Sequence, residues 1–156
     1  KPIQEWLDEY GQSHQNHINK KIHWVCVPAI MFSLVGLVWS IPHSYMPVLF
    51  YNLQLNWAII IIISILFYYF RLSKMMGFGM LTIGLLILVG NFYLSKVFFT
   101  PLWIISLFIF VIAWIGQFIG HKIEGKKPSF LQDLQFLLIG PAWLLSFIYN
   151  KIGLKY

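Results

Sequence analysis

The chain of 156 residues is 59% hydrophobic and 10% charged, where an ordinary soluble domain carries about 45–50% apolar and about 25% charged residues. That excludes a soluble globular domain and points to an integral membrane protein, too short to carry a separate soluble domain. The formal net charge of +6 is no sign of nucleic-acid binding, because the basic residues sit at the ends of apolar runs, where they anchor and orient helices.

Positions 22–70, 75–95 and 97–121 contain no Asp, Glu, Lys or Arg. A transmembrane helix needs about 20 mostly apolar residues, so these gaps hold roughly four spans. Only helices or closed barrels satisfy the backbone in lipid. The runs are continuous (Ile59 to Ile63, Leu85 to Val89) rather than alternating, which selects helices. The expected class is an all-α membrane domain of about four transmembrane helices with a further helical segment at each end.

In chain order, residues 1–12 read as an amphipathic helix. Pro2 suits its first turn, and Ile3, Trp6, Leu7 and Tyr10 share one face opposite Glu5, Asp8 and Glu9. Such a helix is expected on the membrane surface, with Trp6 and Tyr10 in the interface. No signal peptide is expected, since the first apolar run lies too deep in the chain. Ser13 is the expected N-cap of a second helix, which carries His14, His17, Asn19 and His23 and runs into the first span at 24–41, kinked at Pro28. The remaining spans are placed at 49–70, 76–94 and 101–120. The last apolar stretch, 130–149, holds Asp133 near its start and Gly140-Pro141 in its middle. A re-entrant, broken hairpin explains it better than a fifth span, because broken helices are tolerated at membrane depth when protein surrounds them.

In the four-span arrangement Lys20, Lys21, Arg71, Lys74, Lys122, Lys126 and Lys127 fall on one side, and Lys96 alone lies opposite. By the positive-inside rule both ends of the bundle then face the cytoplasm, in a bacterial inner membrane or the endoplasmic reticulum. A re-entrant last segment keeps Lys151 and Lys155 on that side too. The single cysteine, Cys26, excludes an internal disulfide framework.

Two polar clusters fall on the cytoplasmic side: Tyr10, His14, Asn19 and His23, and Gln117, His121 and Glu124 with Asp133 beyond. Imidazole with carboxylate is a donor set for zinc, iron or copper. His121 and Glu124 are neighbours on a helical face, as are Asn19 and His23. His14 and His23, nine apart, fall about half a turn out of phase, and both reach one metal only if the chain bends between them or the site wraps the helix. Spacing alone therefore leaves a metal site and a set of scattered interfacial histidines both open. His17 and His43 read as interfacial or loop residues.

The segment Tyr10-Gly-Gln-Ser-His14 through Asn19-Lys-Lys-Ile-His23-Trp-Val-Cys-Val-Pro28 closely resembles the N-terminal signature of the membrane family of 2-hydroxy fatty acid dioxygenases. A second signature is similar as well: Trp114-Ile-Gly-Gln117-Phe-Ile-Gly-His121-Lys-Ile-Glu124-Gly-Lys-Lys-Pro128, then Asp133 through Gly140-Pro141. The resemblance spans nearly the whole chain. It implies an Fe(II)-dependent enzyme of fatty-acid α-oxidation that uses O2 to shorten a long-chain 2-hydroxy fatty acid by one carbon. Carried onto this sequence, it implies His14, His23 and His121 as iron ligands, with Glu124 as a ligand or a partner of one. Asn19 and Asp133 are cast as orienting groups.

With five acidic residues, three of them in the first ten, a carboxylate-rich di-iron site is hard to build, and a single histidine-rich iron is the simplest assembly. A zinc-dependent membrane hydrolase is the alternative, though its usual His-Glu-x-x-His helix is missing. A transporter would place ionisable residues deep in the spans, and these are nearly devoid of them. A non-enzymatic membrane protein leaves the two polar clusters unexplained.

Overall fold

The computed structural model describes residues 2–12, 15–50, 53–97, 99–125 and 139–156. Among them the chain forms six helices: α1 (Ile3–Gln12), α2 (His17–Trp39), α3 (Trp57–Leu72), α4 (Lys74–Val97), α5 (Leu102–Glu124) and α6 (Ile139–Ile152). A short antiparallel hairpin, β1 (Val48–Phe50) with β2 (Leu53–Gln54), joins α2 to α3. Three helices, α2, α4 and α5, are long and apolar enough to cross a membrane. At 23 residues, α2 and α5 each measure about 34 Å.

Several boundaries differ from the sequence reading, each for a local reason. The second apolar run yields a helix only from Trp57, because Val48–Phe50 pairs with Leu53–Gln54 and Gln54 ties the strands down, donating to the carbonyls of His43 and Met46 at 2.7 and 2.8 Å. The helix α3, 16 residues long, measures about 24 Å. The N-cap of α2 is Asn16 rather than Ser13. Its side-chain oxygen accepts from the N–H groups of Ile18 and Asn19 at 2.9 and 3.3 Å, the geometry that satisfies orphan donors at a helix start. The helix α5 runs past Gly120 to Glu124, where Gly125 at φ 78° closes it, a backbone conformation that glycine adopts without strain. That extra turn makes His121 and Glu124 helical residues.

Of the expected 130–149 segment, the described part is helical from Ile139, with the pair Gly140-Pro141 in the first turn of α6. Proline is tolerated there because first-turn N–H groups have no intrahelical acceptor. Asp133 and the first half of the expected 130–149 segment lie outside the described residues, as does His14.

The amphipathic helix spends its apolar face on protein. Ile3, Leu7 and Tyr10 are buried and Trp6 packs beside them against a core that includes Trp143, Leu144 and Tyr149 of α6 and Val27 and Met31 of α2. Tyr10 is therefore not an interfacial anchor: it is 4% exposed. The helix α6 has eight consecutive buried residues, Ile139 to Ser146, as a helix wrapped by α1, α2 and α4 must. It finishes beside the start of α4, where the Tyr149 hydroxyl donates to the Met75 carbonyl at 2.6 Å.

Among the described residues α2 and α5 share the most extensive helix–helix contact, and glycine brings them together. A Cβ on Gly116 would stand 2.5 Å from the Cys26 sulfur, and one on Gly120 would collide with the Asn19 side chain. Gly116 and Gly120 form a G-x-x-x-G pattern, which lets helix backbones approach closely where no hydrophobic driving force separates protein from lipid. Far along the same pair, Gly36 abuts Ser106 and Asn91, and the Asn91 amide bridges helices by donating to the Phe32 carbonyl at 3.2 Å.

Candidate metal centre

The glycine seam brings the two polar clusters together at one end of the bundle. Asn19 and His23 on α2 are 0% and 1% exposed, and His121 on α5 is 7% exposed. The His23 and His121 rings stand 5.9 Å apart between centroids, nearly perpendicular at 83°.

His23 has its proton position set by the helix. Its Nδ1 lies 3.0 Å from the Asn19 carbonyl oxygen, which can only accept. Nδ1 therefore carries the hydrogen, which leaves Nε2 as the ring nitrogen a metal would use. Metal-ligating histidines use this arrangement, in which a backbone carbonyl fixes the tautomer and the ring orientation.

Glu124 is committed to holding the start of α2. One carboxylate oxygen accepts from the Gln15 N–H at 2.8 Å, and the other accepts from the Asn16 N–H at 2.8 Å and the Asn19 side-chain amide at 3.0 Å. A negative charge at a helix N-terminus is favoured by the unpaired N–H groups and the helix dipole together. The carboxylate thus ties the last turn of α5 to the first turn of α2 and, through Asn19, to the residue whose carbonyl orients His23.

Among the described residues, no three of the His, Cys, Asp and Glu side chains converge as a metal site. His23 and His121 come together, and the third expected ligand, His14, lies outside the described residues. The donor chemistry present, an imidazole whose Nδ1 meets a backbone carbonyl beside a second imidazole, suits iron, zinc or copper. His17 is exposed on α2, and His43 lies at the opposite end of the bundle, its Nδ1 2.8 Å from the Ile41 carbonyl.

Three residues of the site were not assigned a role from sequence. The Tyr10 ring lies edge-on to His23 at 6.5 Å and packs on Trp143 at 5.1 Å. Gln117, 6% exposed and one turn from His121 along α5, keeps its side-chain oxygen without a hydrogen-bond partner among the described residues. The spacing of Tyr10, four residues before His14 in the first signature, was the available signal for it. For Gln117 the signal was a carboxamide beside a glycine pair. Trp143 had none, because its place depends on how α6 docks.

The arrangement is an apolar helical bundle with a buried histidine pair at one end, beside a carboxylate that ties α5 to the start of α2. The match of residues 1–152 to the family described as 2-hydroxy-palmitic acid dioxygenase Mpo1-like shows that the chain belongs to that family. A relative from Saccharomyces cerevisiae, the 2-hydroxy-palmitic acid dioxygenase MPO1, is 27% identical over 153 residues, covering 97% of this chain and 82% of the yeast protein. No solved structure matches the chain.

Proposed function

We propose that this protein is an Fe(II)-dependent dioxygenase that cleaves the C1–C2 bond of long-chain 2-hydroxy fatty acids and yields a fatty acid one carbon shorter. The observation that carries the reading is the buried pair His23 and His121, the first held as its Nδ1–H tautomer by Asn19, in a chain of this family.

In this reading His23 through Nε2, His121 and His14 hold the metal. Fe(II), when bound, would offer open coordination positions for O2 and for the two oxygens of a 2-hydroxy acid and pass electrons from the substrate to O2, with C1 leaving as a one-carbon product. The protein does the rest. Asn19 keeps the His23 ring oriented, and Glu124 keeps Asn19 and the first turn of α2 in register with α5. Tyr10 and Trp143 close the site on the side of α1, which excludes water from the reacting bond. Asp133 takes the part of a further orienting group.

The substrate class follows from the name of the yeast relative, which acts on 2-hydroxy-palmitic acid, and from the apolar helices around the site. Membrane lipid surrounds the bundle, covering outward residues of α5 such as Leu107, Phe108 and Ile115, which are 45–68% exposed. Four crossings, with α3 as the short one, put Lys20, Lys21, Arg71, Lys74 and Lys122 on one side and Lys96 opposite, which turns the site toward the cytoplasm. The re-entrant reading of the last segment is supported by where α6 finishes. Both Glu124 of α5 and Tyr149 of α6 lie toward the same end as the first turn of α4.

The test is turnover of 2-hydroxypalmitic acid beside palmitic acid, with and without O2. The dioxygenase converts only the hydroxy acid and only with O2. Equal conversion of both acids would overturn the role of the 2-hydroxyl, and conversion without O2 would indicate a hydrolase using the same ligands.

A further inference from the structure

A buried oxygen beside the histidine pair takes no part in holding the fold together. Gln117 is 6% exposed, and its Oε1 has no hydrogen-bond partner among the described residues. The polar groups around it are engaged elsewhere. The Asn19 amide donates to Glu124, His23 Nδ1 meets the Asn19 carbonyl, and both Glu124 oxygens receive N–H groups at the start of α2. A buried carboxamide oxygen left unpaired lowers stability, and the lipid around the bundle offers no hydrogen bond in exchange. An apolar side chain would pack there at less cost, so the use of this oxygen lies in something that binds.

Its place is set by the helix. Gln117 precedes His121 by four residues on α5, so the two share a face about 6 Å apart along the axis. Between them Gly120 faces α2, where an added Cβ would stand 3.5 Å from Cε1 of His23. The His23 ring therefore lies against the turn that joins Gln117 to His121. On the other side of Gln117 the packing is apolar, with Ala113 and Trp114 against Ile30. The carboxamide thus stands where the histidine pair gives way to the apolar part of the α2–α5 seam.

We infer that Gln117 selects a 2-hydroxylated acid, its Oε1 accepting a hydrogen bond from the substrate's 2-hydroxyl. The inference rests on the dioxygenase reading for the identity of the substrate. At neutral pH the head of a fatty acid is a carboxylate, which only accepts hydrogen bonds. The 2-hydroxyl is the one donor that a 2-hydroxy acid carries, and an unpaired acceptor matches that group alone. An acid lacking the hydroxyl is penalised, because the oxygen then stays unpaired in the complex.

The test compares the binding of 2-hydroxypalmitic and palmitic acid to the Fe(II)-loaded protein in detergent without O2, so that affinity is read without turnover. Gln117→Met keeps the length of the side chain and removes the acceptor, and Gln117→Leu repeats the test if the Met variant fails to fold. The ratio of the two affinities should fall by about tenfold, the size of one buried hydrogen bond, through weaker binding of the hydroxy acid alone. Gln117→Glu retains an acceptor. It should weaken both acids, whose carboxylates it repels, and keep their ratio. Iron affinity, titrated anaerobically, should be unchanged in Gln117→Met. A loss of iron would assign Gln117 to the support of His121 and overturn the inference, as would a wild-type affinity ratio in a folded Met or Leu variant. Turnover by the wild type keeps this apart from the wider reading. If the wild type converts the hydroxy acid and the variants keep its affinity ratio, the inference alone has failed. A wild type that converts neither acid ends the dioxygenase reading and the inference together.

Discussion

One carboxylate oxygen of Glu124 accepts a hydrogen bond from the Asn19 side-chain amide at 3.0 Å across 105 residues of sequence. The same Asn19 turns its backbone carbonyl to His23. A single contact therefore joins the ends of two antiparallel helices and fixes a ring at the candidate metal centre.

Removing that contact should loosen the metal before it unfolds the chain. Loss of a group that orients a ligand typically costs 10–100-fold in metal affinity. Glu124→Ala is expected in that range by titration with Fe(II) under anaerobic conditions. Glu124→Gln should fall between wild type and Ala, since its NH2 group would meet one of the donors now facing a carboxylate oxygen. Wild-type affinity in Glu124→Ala would show that the clamp does not act on the centre.

The glycine seam gives a prediction about stability. Gly120→Ala drives a methyl group into Asn19, and overpacking of this kind costs about 1–3 kcal/mol. Its midpoint of unfolding in detergent should drop, with iron binding weakened alongside. Gly125→Ala meets no neighbouring atom and strains only the helix cap at φ 78°. Its unfolding midpoint should fall less, with the affinity for iron unaltered.

Docking of α1 depends on Trp143. This side chain is 5% exposed and packs against the Tyr10 ring, tilted at 54°. Burial losses for Trp→Ala run about 3–5 kcal/mol, enough to free a ten-residue helix. Limited proteolysis should cut Trp143→Ala between α1 and α2 much faster than wild type. Unchanged cleavage would mean that Ile3 and Leu7 hold α1 without it.

At Asn91 a buried amide links α2 to α4. Interhelical hydrogen bonds of this type contribute about 0.6–2 kcal/mol, so Asn91→Ala should lower the unfolding midpoint modestly and leave turnover intact. A fall in turnover at full stability would assign Asn91 a part in the reaction.

Much of the fold could be read from the sequence because charge depletion over 22–70, 75–95 and 97–121 leaves helices as the economical solution. The pairing of Asn19 with His23, and of His121 with Glu124, followed from helical spacing alone. What the spacing could not give was the relation between the two clusters, which depends on α2 and α5 lying against each other at Gly116 and Gly120. The G-x-x-x-G pattern was present in the sequence and carries that information. The pairing of β1 with β2 escaped because Val48, Leu49 and Phe50 read as the start of an apolar span, and only the bonds of Gln54 set them apart. Tyr10 was placed at an interface because amphipathicity shows that a face is apolar without saying whether lipid or protein covers it.

Iron content of the detergent-purified protein, compared across wild type, His14→Ala, His23→Ala and His121→Ala after anaerobic loading with Fe(II), decides whether the histidine pair is a metal centre. One iron per chain in the wild type, lost in each of the three variants at unchanged folding, is the result the proposed chemistry requires. A wild type that takes up no iron, or variants at His23 and His121 that keep it, would contradict the assignment of the centre.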